Sequence, residues 1–295
     1  MGDRRARSLR VLATISAGLA LSMALSGCAT QPDPFETREA ISQAAEEPAT
    51  GDELDPFDAT LHPEPQVEPG GCEPYLVITV RGTGEPESGQ LLSPVARAIA
   101  DARAGQVRVD DLPYPAETDV QRGATEGVRL LIDTLRVHAA ACPGQRFVVL
   151  GYSQGALIVG DALSEPEDRV VGLRAGTLSD EVAARVLAVV LYGDPRFTGA
   201  AGYNVGTFDP ARDGVFPRPD GSLDPFASRL RNYCVADDIV CQTSFELSEE
   251  GHVAYFTNGM QQDGAAFVIA QFPARSEATE TRTDGTNPGG SASTD

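Results

Sequence analysis

No lysine occurs in the 295-residue sequence, so all 23 basic side chains are arginine, set against 43 acidic ones for a formal net charge of -20. The arginine preference is a compositional bias rather than chemistry. Outside the extreme N-terminus no basic stripe exists, which excludes nucleic acid as an expected partner. Histidine is equally scarce, with three in the chain, so a search for an imidazole base is short. The longest apolar run near the N-terminus, Val11 to Leu25, is too brief to cross a bilayer comfortably. The five cysteines lack the C-x-x-C pairs and supporting histidines of a zinc site, so no metal is expected. Gly82-Thr83-Gly84 is not a dinucleotide fingerprint, because Glu87 stands where the third glycine belongs and follows Pro86. Internal repeats are absent too, and no cofactor is called for.

The two ends are informative. MGDRRARSLR precedes the apolar stretch and Leu25-Ser26-Gly27-Cys28 follows it. That order fits a signal for export over residues 1–27, and Leu-Ser-Gly-Cys is similar to a bacterial lipobox, which makes Cys28 the expected lipidation site. From 29 to 70 eleven acidic residues face the single Arg38, so 28–70 is expected to be an unstructured, self-repelling spacer. A Ser/Thr/Gly/Glu-rich tail over 276–295 is expected to behave alike. Between them, 71–275 is long enough for one domain with a real core. Its four cysteines, in an exported chain, predict two disulfides. The short interval favours Cys234 with Cys241, leaving Cys72 with Cys142.

Apolar β-branched runs predict strands at Pro74–Arg81, Val107–Leu112, Phe147–Leu150, Val186–Tyr192 and Arg231–Val235. Helices are predicted at Leu91–Arg103, Asp119–Ala141, Gln154–Leu163 and Asp180–Arg185, with Ala265–Phe272 in a closing one. Such alternation implies an α/β fold around a central, mainly parallel five-stranded sheet with helices on both faces. Its functional groups belong at the C-terminal strand ends. The long loop from Gly199 to Ser228 carries Phe208, Phe216 and Phe226, which are expected to border an acyl-binding groove.

Phe147 to Val159 reads FVVLGYSQGALIV. A strand, then Gly151-Tyr152-Ser153-Gln154-Gly155, then a helix is the context of a nucleophile elbow, with Ser153 lifted from the sheet on a sharp turn. A serine needs a neighbouring imidazole to take its proton. His62 lies in the spacer and His138 on a helix leading to the wrong strand end, so His252 is the expected base. The orienting acid should lie between the two in sequence, at a strand end. Asp194, Asp237 and Asp238 qualify; Asp238 is preferred because a loop clamped by Cys234 and Cys241 would hold it rigidly. Asp194 also reads as a turn residue binding backbone N–H groups. Oxyanion donors are expected from the N–H groups of Gln154 and Thr83, while Arg81 is read as a structural tie between loops.

These residues together resemble the cutinase family, in particular its mycobacterial and actinobacterial esterases. The likeness rests on RGT at 81–83, GYSQGA at 151–156, LYGDPR at 191–196, YNVGTFDPARDGVFPRP at 203–219, YCVADDIVC at 233–241 and HVAYF at 252–256. It implies an α/β-hydrolase fold with little or no lid, the triad Ser153, Asp238 and His252, the oxyanion pair Thr83 and Gln154, and the same two disulfides. It also implies hydrolysis of esters with short to medium acyl chains. The spacer and lipid anchor depart from soluble cutinases and turn the expectation toward the producing cell's envelope, with an ester or lipid substrate, attachment to the membrane through Cys28, and a monomeric protein. An acyltransferase or phospholipase using the same triad is the alternative; a domain that only binds is the lesser one.

Overall fold

The computed structural model describes residues 33–46, 52–242 and 250–274. Cys28, the expected signal over 1–27 and the expected tail from 276 lie outside the described residues.

Strands β1 (Tyr75–Val80), β2 (Val107–Asp111), β3 (Arg146–Tyr152), β4 (Val186–Tyr192), β5 (Asn204–Gly206) and β6 (Leu230–Cys234) form one sheet in the order β2-β1-β3-β4-β6-β5. Every neighbouring pair is parallel. The expected five strands are therefore six. The addition, β5, is an edge strand of three residues inside the Gly199–Ser228 loop, and it pairs Asn204 with Asn232 and Val205 with Tyr233. Parallel strands need crossovers that cover both faces, so the central strands are apolar on both sides. In β3, Phe147 and Val149 pack on one face while Val148, Leu150 and Tyr152 pack on the other.

Helices α3 (Val120–Ala141) and α4 (Gln154–Leu163) cover the first face. Helices α2 (Ser93–Ala102) and α7 (Met260–Gln271) cover the second. The short α5 (Asp180–Ala183) and α6 (Glu250–Val253) complete the α-helices among the described residues after 71. Asp119 starts α3 by accepting the Arg122 N–H at 3.2 Å, which satisfies one otherwise orphaned donor of the first turn. From β1 the chain moves outward to β2 and then returns to β3 on the other side of β1. This reversal makes the carboxyl ends of β1 and β3 the switch point of the sheet, the place where such sheets bind ligands.

Residues 33–46 and 52–70, expected as part of an unstructured spacer, are ordered against the domain. Helix α1 (Pro34–Glu46) buries Thr37, Ile41 and Ala44, a spacing that puts all three on one helix face. Ile41 and Ala44 join the first-face core. Further on, the fully buried Arg129 of α3 donates to the carbonyls of His62 and Glu64, each at 2.8 Å. Its ion-pair partner Asp133 accepts the Gln66 N–H at 3.0 Å. Charge repulsion along the acidic segment is thus offset by hydrogen bonds to a buried ion pair. His138 is buried on α3 and accepts the Gly70 N–H at 3.1 Å through Nε2.

Candidate active site

Ser153 sits between β3 and α4 with φ 54° and ψ -120°, the one non-glycine with positive φ among the described residues. This backbone is costly for a side chain and persists only where its surroundings fix it. Gly155 is the reason the turn can close, since a Cβ there would collide with the carbonyl oxygen of Val80. The Ser153 N–H is held by Tyr192 O at 2.9 Å. Helix α4 begins at the next residue, so its unpaired N–H groups and positive dipole end lie at the serine.

His252 lies on α6 rather than in the loop expected for it, and it reaches the serine. Its Nε2 is 2.9 Å from Ser153 Oγ and its Nδ1 is 2.9 Å from Asp238 Oδ1. Because a carboxylate only accepts, Nδ1 carries the proton and donates, which leaves Nε2 bare to accept the Ser153 hydroxyl hydrogen. All three side chains are buried. Asp238 Oδ1 also accepts the Val240 N–H at 2.8 Å and the Cys241 N–H at 3.3 Å. Burial pushes the Asp238 carboxyl up, but the adjacent His252 and the hydrogen bonds from His252, Tyr255 and Val240 outweigh it, so the carboxyl is held below its ordinary range.

The other acids stand elsewhere. Asp237 is exposed. Asp194 accepts the Arg196 N–H at 2.9 Å, pairs with buried Arg218 and takes Asn232 Nδ2 at 3.0 Å. It is the turn acid that was its second reading. His62 is exposed and His138 serves the N-terminal segment. Arg81 ties loops together, donating to the carbonyls of Glu85, Leu112 and Tyr114. Thr83 follows β1 and donates its hydroxyl to Gln154 Oε1 at 3.1 Å, which brings the two expected oxyanion residues side by side. The disulfides pair as expected, Cys72 with Cys142 and Cys234 with Cys241, and the second closes the loop that carries Asp238.

The expected groove aromatics are corrected to packing residues. Phe226 lies in the first-face core, and Phe216 packs against it. Phe208 meets Phe197 edge-on at 5.2 Å beside the Cys234–Cys241 bridge. Their loop is folded back on the domain by β5 and by hydrogen bonds such as Asp209 N to Gln242 Oε1 at 3.0 Å. Among the described residues no cluster of three or more His, Cys, Asp or Glu could hold a metal ion.

Three residues that sequence reading passed over also bear on the site. Glu85 accepts the N–H of Gly82 and of Leu91, each at 2.7 Å, and so staples the Thr83 loop at both ends. Burial pushes its carboxyl up, partly offset by those two donors. Tyr152 stacks on the His252 ring at 5.2 Å and donates to its backbone carbonyl at 2.9 Å. Tyr255 donates to Asp238 Oδ2 at 2.7 Å. One signal existed for Tyr255, namely its spacing three residues after His252.

A family model described as Cutinase matches residues 71–272. A cutinase of Kineococcus radiotolerans is 31% identical over 203 residues, 67% of this chain and 61% of that protein. The chain thus spans about three fifths of that relative's length. The carboxylesterase Culp1 of Mycobacterium tuberculosis is 29% identical over 203 residues, 67% of this chain and 81% of that one. The solved catalytic core of the acetyl xylan esterase from Trichoderma reesei superposes with a TM-score of 0.59 at 25% identity, covering 68% of this chain and all of that one.

Proposed function

The chain belongs to the cutinase family, and from that premise we propose that it is a serine esterase hydrolysing carboxylic esters of short to medium acyl chains. The observation that carries the reading is the relay from Ser153 Oγ through His252 to Asp238, with both hydrogen bonds at 2.9 Å. Ser153 attacks the ester carbonyl while His252 Nε2 takes its proton, and Asp238 stabilises the imidazolium. Negative charge on the carbonyl oxygen falls to the N–H groups of Gln154 and Thr83. The alcohol leaves with the proton from His252, and water then splits the acyl enzyme by the same route. Relatives named cutinase, carboxylesterase and acetylxylan esterase support ester hydrolysis.

Ser153→Ala should lower turnover on a nitrophenyl butyrate by several orders of magnitude in a protein that still folds, and should abolish labelling by a fluorophosphonate probe. Wild-type rates in that variant would end the reading. The protein is further proposed to be exported by residues 1–27 and held as a monomer at the envelope through a lipid on Cys28. Two disulfides suit that oxidising setting. Metabolic palmitate labelling should be lost in Cys28→Ser; equal labelling of both proteins would refute the anchor.

A further inference from the structure

The acid of the relay has a second face, and the structure shows what holds it. Asp238 Oδ1 is committed to His252, Val240 N and Cys241 N, whereas Oδ2 accepts the Tyr255 hydroxyl at 2.7 Å. The direction of that bond is fixed because an ionised carboxylate only accepts; the Tyr255 oxygen in turn accepts the Val235 N–H at 3.3 Å, and the disulfide sulfur of Cys241 lies 3.5 Å away. Tyr255 is fully buried, fixed by edge contacts with Tyr152 at 6.3 Å and Tyr192 at 5.7 Å. A phenol has two χ angles and no net charge, so it presents a donor to a buried carboxylate without adding a titrating group near neutrality. Burial and the Asp238 charge keep that hydroxyl protonated. The titratable groups facing this pair are His252 from α6, Tyr152 from β3 and Tyr192 from β4; Glu85, on the Thr83 loop, acts on Tyr152 and His252.

We infer that Tyr255 is a positioning residue of the relay, orienting Asp238 through Oδ2 so that Oδ1 stays aimed at His252 Nδ1. This rests on the proposed esterase reading. A hydrogen bond to a buried charge is strong enough to matter for rate as well as fold. Without the phenol donor the carboxylate becomes more basic, the Asp238–His252 pair takes up its proton at higher pH, and the neutral base is lost sooner as pH falls.

Tyr255→Phe tests this on nitrophenyl butyrate across pH. The expected result is kcat lower by roughly ten- to a hundredfold, little change in KM, and an acid limb of kcat/KM moved upward by about one pH unit. In an Asp238→Asn background the same change should cost almost nothing further, because its target has gone. A role in packing alone would lower the melting temperature and leave the acid limb in place, and that outcome overturns the inference. Should Tyr255→Phe not fold, wild-type protein carrying 13Cζ-tyrosine answers instead. The Tyr255 signal should inflect at the midpoint of the acid limb, and a flat signal overturns the inference. Failure of the esterase reading is separate: it appears as wild-type hydrolysis that does not need Ser153.

Discussion

Replacing Cys234 and Cys241 together by alanine should damage activity far more than stability, and replacing Cys72 and Cys142 should do the reverse. The bridges close loops of sequence separation 7 and 70 respectively. By loop-closure entropy the short one is worth about 2.4 kcal/mol and the long one about 4.4 kcal/mol. For a domain of this size these translate into roughly 5–10 °C and 9–18 °C of melting temperature. The short loop, however, contains Asp238, with Val240 N and Cys241 N donating to its Oδ1. Opening the loop frees those donors and lets the carboxylate leave His252. Loss of the acid's orientation is expected to lower kcat by a hundredfold or more, bounded by the ~10⁴-fold cost of losing a triad acid. The long bridge ties the start of the domain to the end of α3, ahead of the first residue of β3, whereas Ser153 follows the last. The assay is kcat on a nitrophenyl ester at 15 °C, where both variants are folded, alongside thermal melts. Wild-type kcat in the short-loop variant, or an equal loss of kcat in both, would refute the argument.

Two further outcomes follow from burial and charge. Asp238 titrates below its ordinary value of 3.8 in the folded protein, so its contribution to stability is present above 3.8 and disappears as pH falls through the depressed value. Asp238→Asn should therefore melt below wild type at pH 6, by about 2 kcal/mol, with the gap closing under more acidic conditions; a gap independent of pH contradicts the shift. Removing residues 1–70 should strip the His62, Glu64 and Gln66 partners from Arg129 and Asp133, hydrogen bonds to charged groups worth about 1.5–3 kcal/mol each. An unchanged melting curve for the shortened protein would show that the segment contributes nothing.

The central strands were legible because parallel strands buried on both faces leave continuous apolar runs, and FVVL and VLAVVLY are such runs. Strand β5 was not, since Asn-Val-Gly carries no pattern and pairs only because β6 offers an open edge. Helix α1 hid behind Pro, Glu and Ala; its order comes from tertiary contacts of Ile41 and Ala44 rather than from strong periodicity. The convergence of Ser153, His252 and Asp238 could be anticipated from chain order and strand ends. Most of the supports could not: Glu85 and Tyr152 look like an ordinary turn acid and an ordinary core aromatic until the folded chain sets them beside the imidazole and its loop, and only Tyr255 carried a signal, its spacing after His252. The loop phenylalanines misled for the opposite reason, as apolar residues in a long loop fit a groove and a core equally well.

The docking of residues 33–70 changes the geometry of any attachment at Cys28. Counted along the sequence, Gly71 stands 43 positions beyond Cys28, a leash that could stretch to roughly 150 Å. With α1 already seated on the domain from Pro34, Cys28 stands only six positions before that helix, a span of at most about 21 Å. Were Cys28 to carry the proposed lipid, Pro34 would stay within about 21 Å of the surface that holds it, and molecules in or just above that layer would be the ones within reach.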